Sequence, residues 1–260
     1  MADCNATIFV SPMGHDVDRV SALMRLWLEG AGLSRVDIAG CGRHARESIE
    51  RFMNDDGRVR NTDLFIFVCS DEGWEGKLAR SRLEQAVASG TPIMFSHGLH
   101  PCFRDWPEVE KMIGLLWRDT AQHGDFNSCA VRMESAPHPI TCGVSDFETA
   151  DELFCGLENV HGVPLQVLAS AYSSSERLSR WGHRGTGNWE PVLTTGQYGK
   201  GRTVNFLLGH VWRFYTGHGL MENTMIAFEP PAIKTLFLRC CEWALTGRVR
   251  AAGGGITDAL

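Results

Sequence analysis

Two histidines follow a short apolar run in the segment Thr91-Pro-Ile-Met-Phe-Ser-His-Gly-Leu-His-Pro-Cys-Phe103. His97 and His100 stand three positions apart, with Gly98 between them. An apolar run that ends at a small polar residue and a glycine predicts a buried strand followed by a tight turn. Ligands of open α/β sheets bind beyond the carboxyl ends of strands. The turn is therefore predicted to present imidazoles, which carry protons near neutral pH and bind metals, at a ligand site.

Alternating strand and helix patterns surround this turn. In the first half of the chain, strands are predicted at residues 6–12, 35–40, 63–69 and 92–95, with helices at 16–30, 45–54, 76–89 and from about 105. Four strand–helix units in succession predict a parallel, doubly wound α/β sheet. The second half predicts strands at 130–133 and 165–171, a loop or flap at 173–190, a hairpin of 191–195 with 202–208, and a closing helix at 231–247.

Composition restricts the class of protein. The chain has 260 residues, 43% hydrophobic and 22% charged, and a net charge of −6 without any basic run, which argues against a nucleic-acid partner. No apolar run approaches the roughly 20 residues of a membrane-spanning helix, and no secretory signal is recognisable. Nine cysteines without a framework of spacings favour a reducing, cytoplasmic location. We expect one domain over residues 1–248 and a flexible tail over 249–260.

Three segments in series resemble the ThuA-like (trehalose-utilisation) family. They are Gly98-Leu-His100 with Phe103-Arg-Asp-Trp-Pro-Glu-Val-Glu-Lys-Met-Ile-Gly114 and His123; His138-Pro-Ile-Thr-Cys-Gly-Val-Ser-Asp-Phe147 with Asp151-Glu-Leu-Phe154; and Pro191-Val-Leu with Tyr198-Gly-Lys-Gly-Arg202 and Leu208-Gly-His210. The resemblance implies a flavodoxin-like fold of the class I glutamine-amidotransferase type, a three-layer sandwich around a mostly parallel sheet.

Class I amidotransferases carry a nucleophilic cysteine at the turn after a strand, activated by a histidine. The resemblance places the equivalent turn at 96–100, where no cysteine stands. Cys102 lies two residues beyond His100 and follows a proline, and Ser96 lacks the Gly-x-Ser-x-Gly context of a nucleophile elbow. Glutaminase chemistry is therefore disfavoured.

Acid–base or metal chemistry remains. The resemblance implies that the loops carrying His100, His123 and His210 converge, and Glu152 supplies a carboxylate. These four residues are the predicted catalytic groups. The residues predicted to bind the substrate are His15, His97, Asp151, Trp74 and Tyr198. The candidate ligands for a divalent metal, zinc or manganese, are His97, His100, His123 and His210.

The resemblance implies a sugar substrate, because the family is linked to the utilisation of trehalose and related disaccharides through oxidised (3-keto) sugars. We expect a cytosolic enzyme that acts on such a sugar or glycoside as an isomerase, epimerase or lyase, with or without a metal. Two alternatives stay open: an amidotransferase-like hydrolase that uses a nucleophile, and a non-catalytic sugar-binding module. The expected partner is a small-molecule sugar. The aromatic segment 212–228 is a candidate subunit contact in a homo-oligomer, or a lid.

Overall fold

Strands of continuous apolar side chains form the centre of the sheet, as in β3, whose five residues Leu64–Val68 are all buried. The computed structural model describes residues 1, 3–11, 14–40, 49–68, 74, 76–98, 102–180, 182–213 and 224–250. The strands are β1 (Asn5–Val10), β2 (Arg35–Gly40), β3 (Leu64–Val68), β4 (Ile93–Ser96), β5 (Gln122–His123), β6 (Asn127–Met133), β7 (Phe147–Asp151), β8 (Phe154–Cys155), β9 (Leu165–Tyr172), β10 (Trp189–Tyr198) and β11 (Gly201–Phe206). The α-helices are α1 (Val17–Gly30), α2 (Ile49–Met53), α3 (Asp56–Arg60), α4 (Lys77–Ser89), α5 (Pro107–Ile113) and α6 (Pro231–Thr246), and a 3₁₀ turn spans Ile226–Phe228.

Nine strands form one sheet in the order β2-β1-β3-β4-β11-β10-β9-β6-β7. The first five pair in parallel, which is the 2-1-3-4-5 order of flavodoxin-like folds. The last four extend the sheet by antiparallel pairing. Within this sheet only β10 and β6 run against the other seven described strands, so the predicted mostly parallel sheet is confirmed.

Two hydrophobic cores lie on the two faces of the sheet. Because side chains alternate along a strand, Ile8 and Ile66 pack with α1 and α6 on one face, whereas Phe9 and Phe67 pack with α2, α4 and α5 on the other. Helices on both faces make the three layers of the predicted α/β sandwich. The Asp16 side chain accepts a hydrogen bond from the Arg19 backbone N–H and caps α1.

Most predicted elements are confirmed within a few residues, including the hairpin of β10 with β11 and the closing helix α6. The predicted helix 45–54 is shorter where the structure describes it, at Ile49–Met53, and residues 41–48 lie outside the described residues. The sequence reasoning missed β7 and the two-residue strands β5 and β8. The tail at 251–260 also lies outside the described residues. No helix in the described ranges is long and apolar enough to cross a membrane.

Candidate active site

Three histidines meet at the carboxyl edge of the parallel strands. His97 follows β4 directly, while His15 and His210 lie a few residues beyond β1 and β11. These strands are parallel, so their ends share one edge of the sheet. The ring centroids lie 4.8 Å apart for His97 and His210, 4.9 Å for His15 and His210, and 5.5 Å for His15 and His97. One ligand nitrogen from each ring lies within 4.8 Å of the others.

Hydrogen bonds determine which nitrogens of the two buried rings carry protons. His97 Nδ1 lies 2.6 Å from the Leu207 carbonyl, which can only accept, so this nitrogen carries the proton. In the neutral ring, His97 Nε2 is then the acceptor for His210 Nδ1 at 2.9 Å. His210 Nε2 is left with a lone pair, and it is buried without a hydrogen-bond partner in the described part of the chain. Burial, and then the neighbouring histidines, hold the pKa of His210 well below its ordinary value.

A short backbone bridge holds His15 against this pair. His15 forms an isolated β-bridge with Trp212, and the two rings stack at 5.7 Å with an interplanar angle of 4°. The Asp16 N–H donates to the Val211 carbonyl at 2.8 Å and reinforces the bridge. Gly98 lies against the imidazole, since a Cβ atom there would stand 3.1 Å from His15 Cε1. The position of His15 is therefore set from both sides.

Two buried carboxylates follow β7 and reach the histidines. Asp151 Oδ2 accepts from the Gly209 N–H at 2.6 Å, and Oδ1 accepts from the Glu152 N–H at 2.8 Å and lies 3.6 Å from His97 Nδ1. Burial raises the pKa of Asp151 to about 7, although the backbone N–H groups oppose this. Glu152 is 3% exposed. Its Oε2 lies 3.6 Å from His210 Nδ1 and its Oε1 lies 3.4 Å from His123 Nδ1.

His123 is the half-buried member of the group. Its Nδ1 lies 3.0 Å from the Gly124 carbonyl, besides its approach to Glu152. Burial alone would lower the pKa of His123, but the hydrogen bond and charge of Glu152 outweigh burial, so the pKa is raised. Glu152 thus lies between two histidines whose pKa values are shifted in opposite directions. His123, near Oε1, favours the protonated form, and His210, near Oε2, favours the neutral form.

A pocket lined by many polar side chains, and partly open to solvent, lies beside these groups. His123 and Asp151 line it, and the irregular segment 173–185 supplies much of its wall. Its other polar lining residues include Gln122, Asp125, Asn127, Ser128, Ser173, Ser174, Arg177, Ser179, His183 and Arg184. Such a dense set of donors and acceptors suits a hydroxylated small molecule more than an apolar one.

The structure brings together most of the residues predicted from the sequence. Those that meet at this edge of the sheet are His15, His97, His123, Asp151, Glu152 and His210. His100 lies outside the described residues. Two contacts were not predicted from the sequence: the Leu207 carbonyl as the acceptor for His97, and Trp212 as the ring that stacks on His15. Residue types do not reveal which backbone carbonyl accepts a hydrogen bond or which residues pair across strands.

Two predicted substrate contacts lie elsewhere and are corrected. Trp74 is 1% exposed and stacks on Phe67 at 5.3 Å inside the core between the sheet and α4, so no substrate reaches it. Tyr198 pairs with Gly201 at the start of β11, the opposite end of the strand from His210. Its hydroxyl donates to Glu108 at 2.5 Å. Both residues have structural roles.

Comparison with known proteins identifies the family. The family model ThuA, described as trehalose utilisation, matches residues 41–244, more than half of the chain. The chain belongs to the ThuA family. The resemblance predicted from the three sequence segments is therefore confirmed, and a role related to carbohydrate utilisation is the function that the family supports.

Solved structures agree with the fold of this ThuA-family protein. A ThuA-like protein from Parabacteroides merdae is 20% identical with a TM-score of 0.78, covering 96% of this chain and 92% of that one. One from Bacteroides uniformis is 14% identical with a TM-score of 0.69, covering 95% of each chain. A cytoplasmic protein from Salmonella typhimurium is 11% identical with a TM-score of 0.51, covering 93% and 98%. No curated protein matches the chain.

Proposed function

We propose that this ThuA-family protein is a cytosolic carbohydrate-metabolism enzyme that transfers a proton on an oxidised (3-keto) sugar or glycoside, as an isomerase, epimerase or lyase. The observation that carries the proposal is the pairing of His123, on the wall of the polar pocket, with the buried carboxylate of Glu152. The family description, trehalose utilisation, supports a sugar as the substrate. The seven described cysteines are all free thiols, which supports a reducing compartment.

The chemistry requires one proton carrier next to a ketone. The carbonyl acidifies the hydrogen on the neighbouring carbon, and an imidazole can remove that hydrogen near neutral pH. The His123 imidazole, whose Nδ1 lies near the Gly124 carbonyl and Glu152, exchanges the proton with the sugar. The Glu152 carboxylate stabilises the imidazolium that forms. Delivery of a proton to the opposite face of that carbon gives an epimer, and delivery to the other carbon of the enediol gives an isomer. Departure of a group β to the ketone, which takes up a proton as it leaves, gives elimination.

Recognition of the sugar is assigned to the pocket wall. Serine hydroxyls, the amides of Gln122 and Asn127, and the guanidinium of Arg177 lie around the cavity and complement sugar hydroxyl groups. Tyr172 is the aromatic residue among the described lining residues. Hydrogen bonding, more than the contact with Trp74 that the sequence predicted, then determines which sugar fits.

The nucleophile alternative has less support from the described cysteines. Cys129 and Cys155 line the pocket, but burial raises their pKa to about 12 and about 11. The thiolate is the reactive form, so both are poor nucleophiles at neutral pH. Cys102 is 3% exposed, and its Sγ lies 3.8 Å from the Gly98 carbonyl as a donor. Covalent catalysis through these thiols is therefore disfavoured.

Hydrogen exchange with solvent tests the proposal directly. In D₂O, the enzyme is expected to exchange the hydrogens next to the ketone of a 3-ketoglucoside, as followed by proton NMR. His123→Gln should slow this exchange by about 10²–10⁴-fold. Tyr198→Phe, at the far end of the hairpin, and Cys102→Ala serve as controls and should keep the parental rate. Unchanged exchange in His123→Gln, or tight ketosugar binding without any exchange, would refute the proposal and favour the sugar-binding module.

A further inference from the structure

We propose that His15, His97 and His210 form a three-nitrogen site for a divalent transition-metal cation of the zinc class. The site goes beyond the proton-transfer proposal, because it uses a different set of side chains and can be tested without any substrate. His123, a metal candidate in the sequence, is left out of the ligand set, and His15 enters it.

The first support is the convergence of the rings. One ligand nitrogen from each histidine lies within 4.8 Å of the other two. Zinc binds imidazole nitrogens at about 2.0–2.1 Å, so tetrahedral ligands lie roughly 3.3 Å from one another. The rings are thus within a small side-chain movement of coordination. Their backbone positions come from three parallel strands and need no rearrangement.

The second support is an unpartnered buried nitrogen. His210 is 0% exposed, and its Nε2 has no hydrogen-bond partner among the residues that the structure describes. A buried polar atom without a partner costs about 1–3 kcal/mol. In a native structure such an atom requires an explanation, and a bound ion is one of the standard ones. A cation at the centre of the three rings supplies the missing partner.

The third support is the outer layer of hydrogen bonds. Metal-binding histidines donate their second ring N–H to a carbonyl or carboxylate, which fixes the ligating nitrogen. His97 donates from Nδ1 to the Leu207 carbonyl, which leaves Nε2 as its ligand atom. In the cation-bound protein, His210 Nδ1–H exchanges His97 for Glu152 Oε2, which already lies 3.6 Å away. Both acceptors are therefore in place.

Charge and ligand type indicate which cation fits. The carboxylates of Asp151 and Glu152 are buried beside the rings and balance the charge of a dication. Three imidazoles without an oxygen ligand favour zinc over manganese, which prefers carboxylate and water. Three protein ligands also leave a fourth position open, as in catalytic zinc sites. Asp151 lines the pocket and approaches His97, so the cation lies next to the pocket.

Metal content and affinity test the site on the full chain. Protein stripped with a chelator is expected to take up one Zn²⁺ per chain by elemental analysis and to melt at a higher temperature with Zn²⁺ than without. His15→Ala should lower the Zn²⁺ affinity by at least about 10-fold. This variant is chosen because His15 is half-buried and its loss leaves the buried His97–His210 pair intact.

Matched histidine variants keep the test decisive. Two variants should retain one Zn²⁺ with unchanged affinity. They are His138→Ala, which removes a half-buried imidazole packed edge-to-face against Trp243, and His123→Ala. The proposal is overturned if stripped parental protein takes up no zinc, or if His15→Ala binds zinc as tightly as the parent. Zinc that is lost in His123→Ala but kept in His15→Ala would also overturn it. None of these measurements depends on turnover, so they separate failure of the site from failure of the proposed reaction.

Discussion

Glu152 contacts two histidines whose pKa values move in opposite directions, and this difference assigns their roles. Its Oε1 approaches His123, whose pKa is raised, and its Oε2 approaches His210, whose pKa is lowered. Environments that separate pKa values in this way are typical of active sites. In the proposed reaction, His123 abstracts a proton and must first be neutral. The acidic limb of the pH–rate profile therefore reports its pKa.

Glu152→Gln is expected to move this acidic limb to lower pH. The glutamine keeps the shape of the side chain but removes the negative charge that raises the pKa of His123. A ring that loses its proton more easily is neutral at lower pH, so activity begins earlier as the pH rises. The maximum rate falls by about 10²-fold, because the imidazolium is no longer stabilised. The measurement is kcat/KM for a 3-ketoglucoside from pH 5 to 9.

Two further variants separate a charge effect from a structural one. Glu158→Gln neutralises a carboxylate that accepts from Thr120 on the surface, and it should leave the profile unchanged. Glu152→Asp keeps the negative charge, so its acidic limb should lie at higher pH than that of Glu152→Gln. A Glu152→Gln profile that moves to higher pH would contradict the assignment of His123 as the base.

The sequence indicated which residues share the site only where those residues follow a recognisable strand. His15, His97 and His210 each follow a recognisable strand, and parallel strands end at one edge, so their proximity was predictable. Glu152 and His123 were predicted only through the family resemblance. Strand patterns could not show their contact, because it depends on β5 and β8, which are two residues each and carry no periodic signal. Trp74 was misassigned for a similar reason, since a tryptophan between a strand and a helix can face the core or the solvent.

At the scale of elements, Gly209 joins β11 to the histidine cluster and has no room for a side chain. Its φ is +115°, and a Cβ atom would stand 2.6 Å from the Phe228 ring. Gly209→Ala is therefore expected to lower the free energy of unfolding by about 1–3 kcal/mol through overpacking and backbone strain. Urea unfolding measures the change.

Gly30→Ala is the matched control for that variant. Gly30 is the last residue of α1, has an ordinary φ and has nothing within 4 Å of a Cβ atom. Alanine favours the helical backbone, so this change should be neutral or stabilise the protein by up to about 0.5 kcal/mol. Equal destabilisation by both substitutions would show that the Phe228 contact is not what excludes a side chain at position 209.

At the scale of the whole molecule, the two halves of the sheet contribute different parts of the site. The parallel half, with strands recognisable from apolar runs, carries the three histidines. The antiparallel half carries the carboxylates and most of the pocket wall. The strand order of the antiparallel half could not be predicted from the sequence. β6 and β9 pair although more than thirty residues separate them, and β7 shows no clear alternation of buried and exposed side chains. The fold class was therefore predictable, whereas the assembly of the pocket was not.

Asp151 connects these halves, which leads to a prediction for the stability of the entire chain. Its carboxylate, at the end of β7, accepts from the Gly209 N–H at 2.6 Å, 58 residues along the chain. Asp151→Ala leaves that donor buried without an acceptor and should lower the free energy of unfolding by about 3 kcal/mol. Urea unfolding at about pH 5.5 measures this, because below its raised pKa of about 7 the buried carboxyl is protonated and no charge is buried. Asp105→Ala removes a surface carboxylate paired with Arg80 and should change stability by less than about 0.5 kcal/mol. If the two variants unfold alike, Asp151 does not hold the halves together.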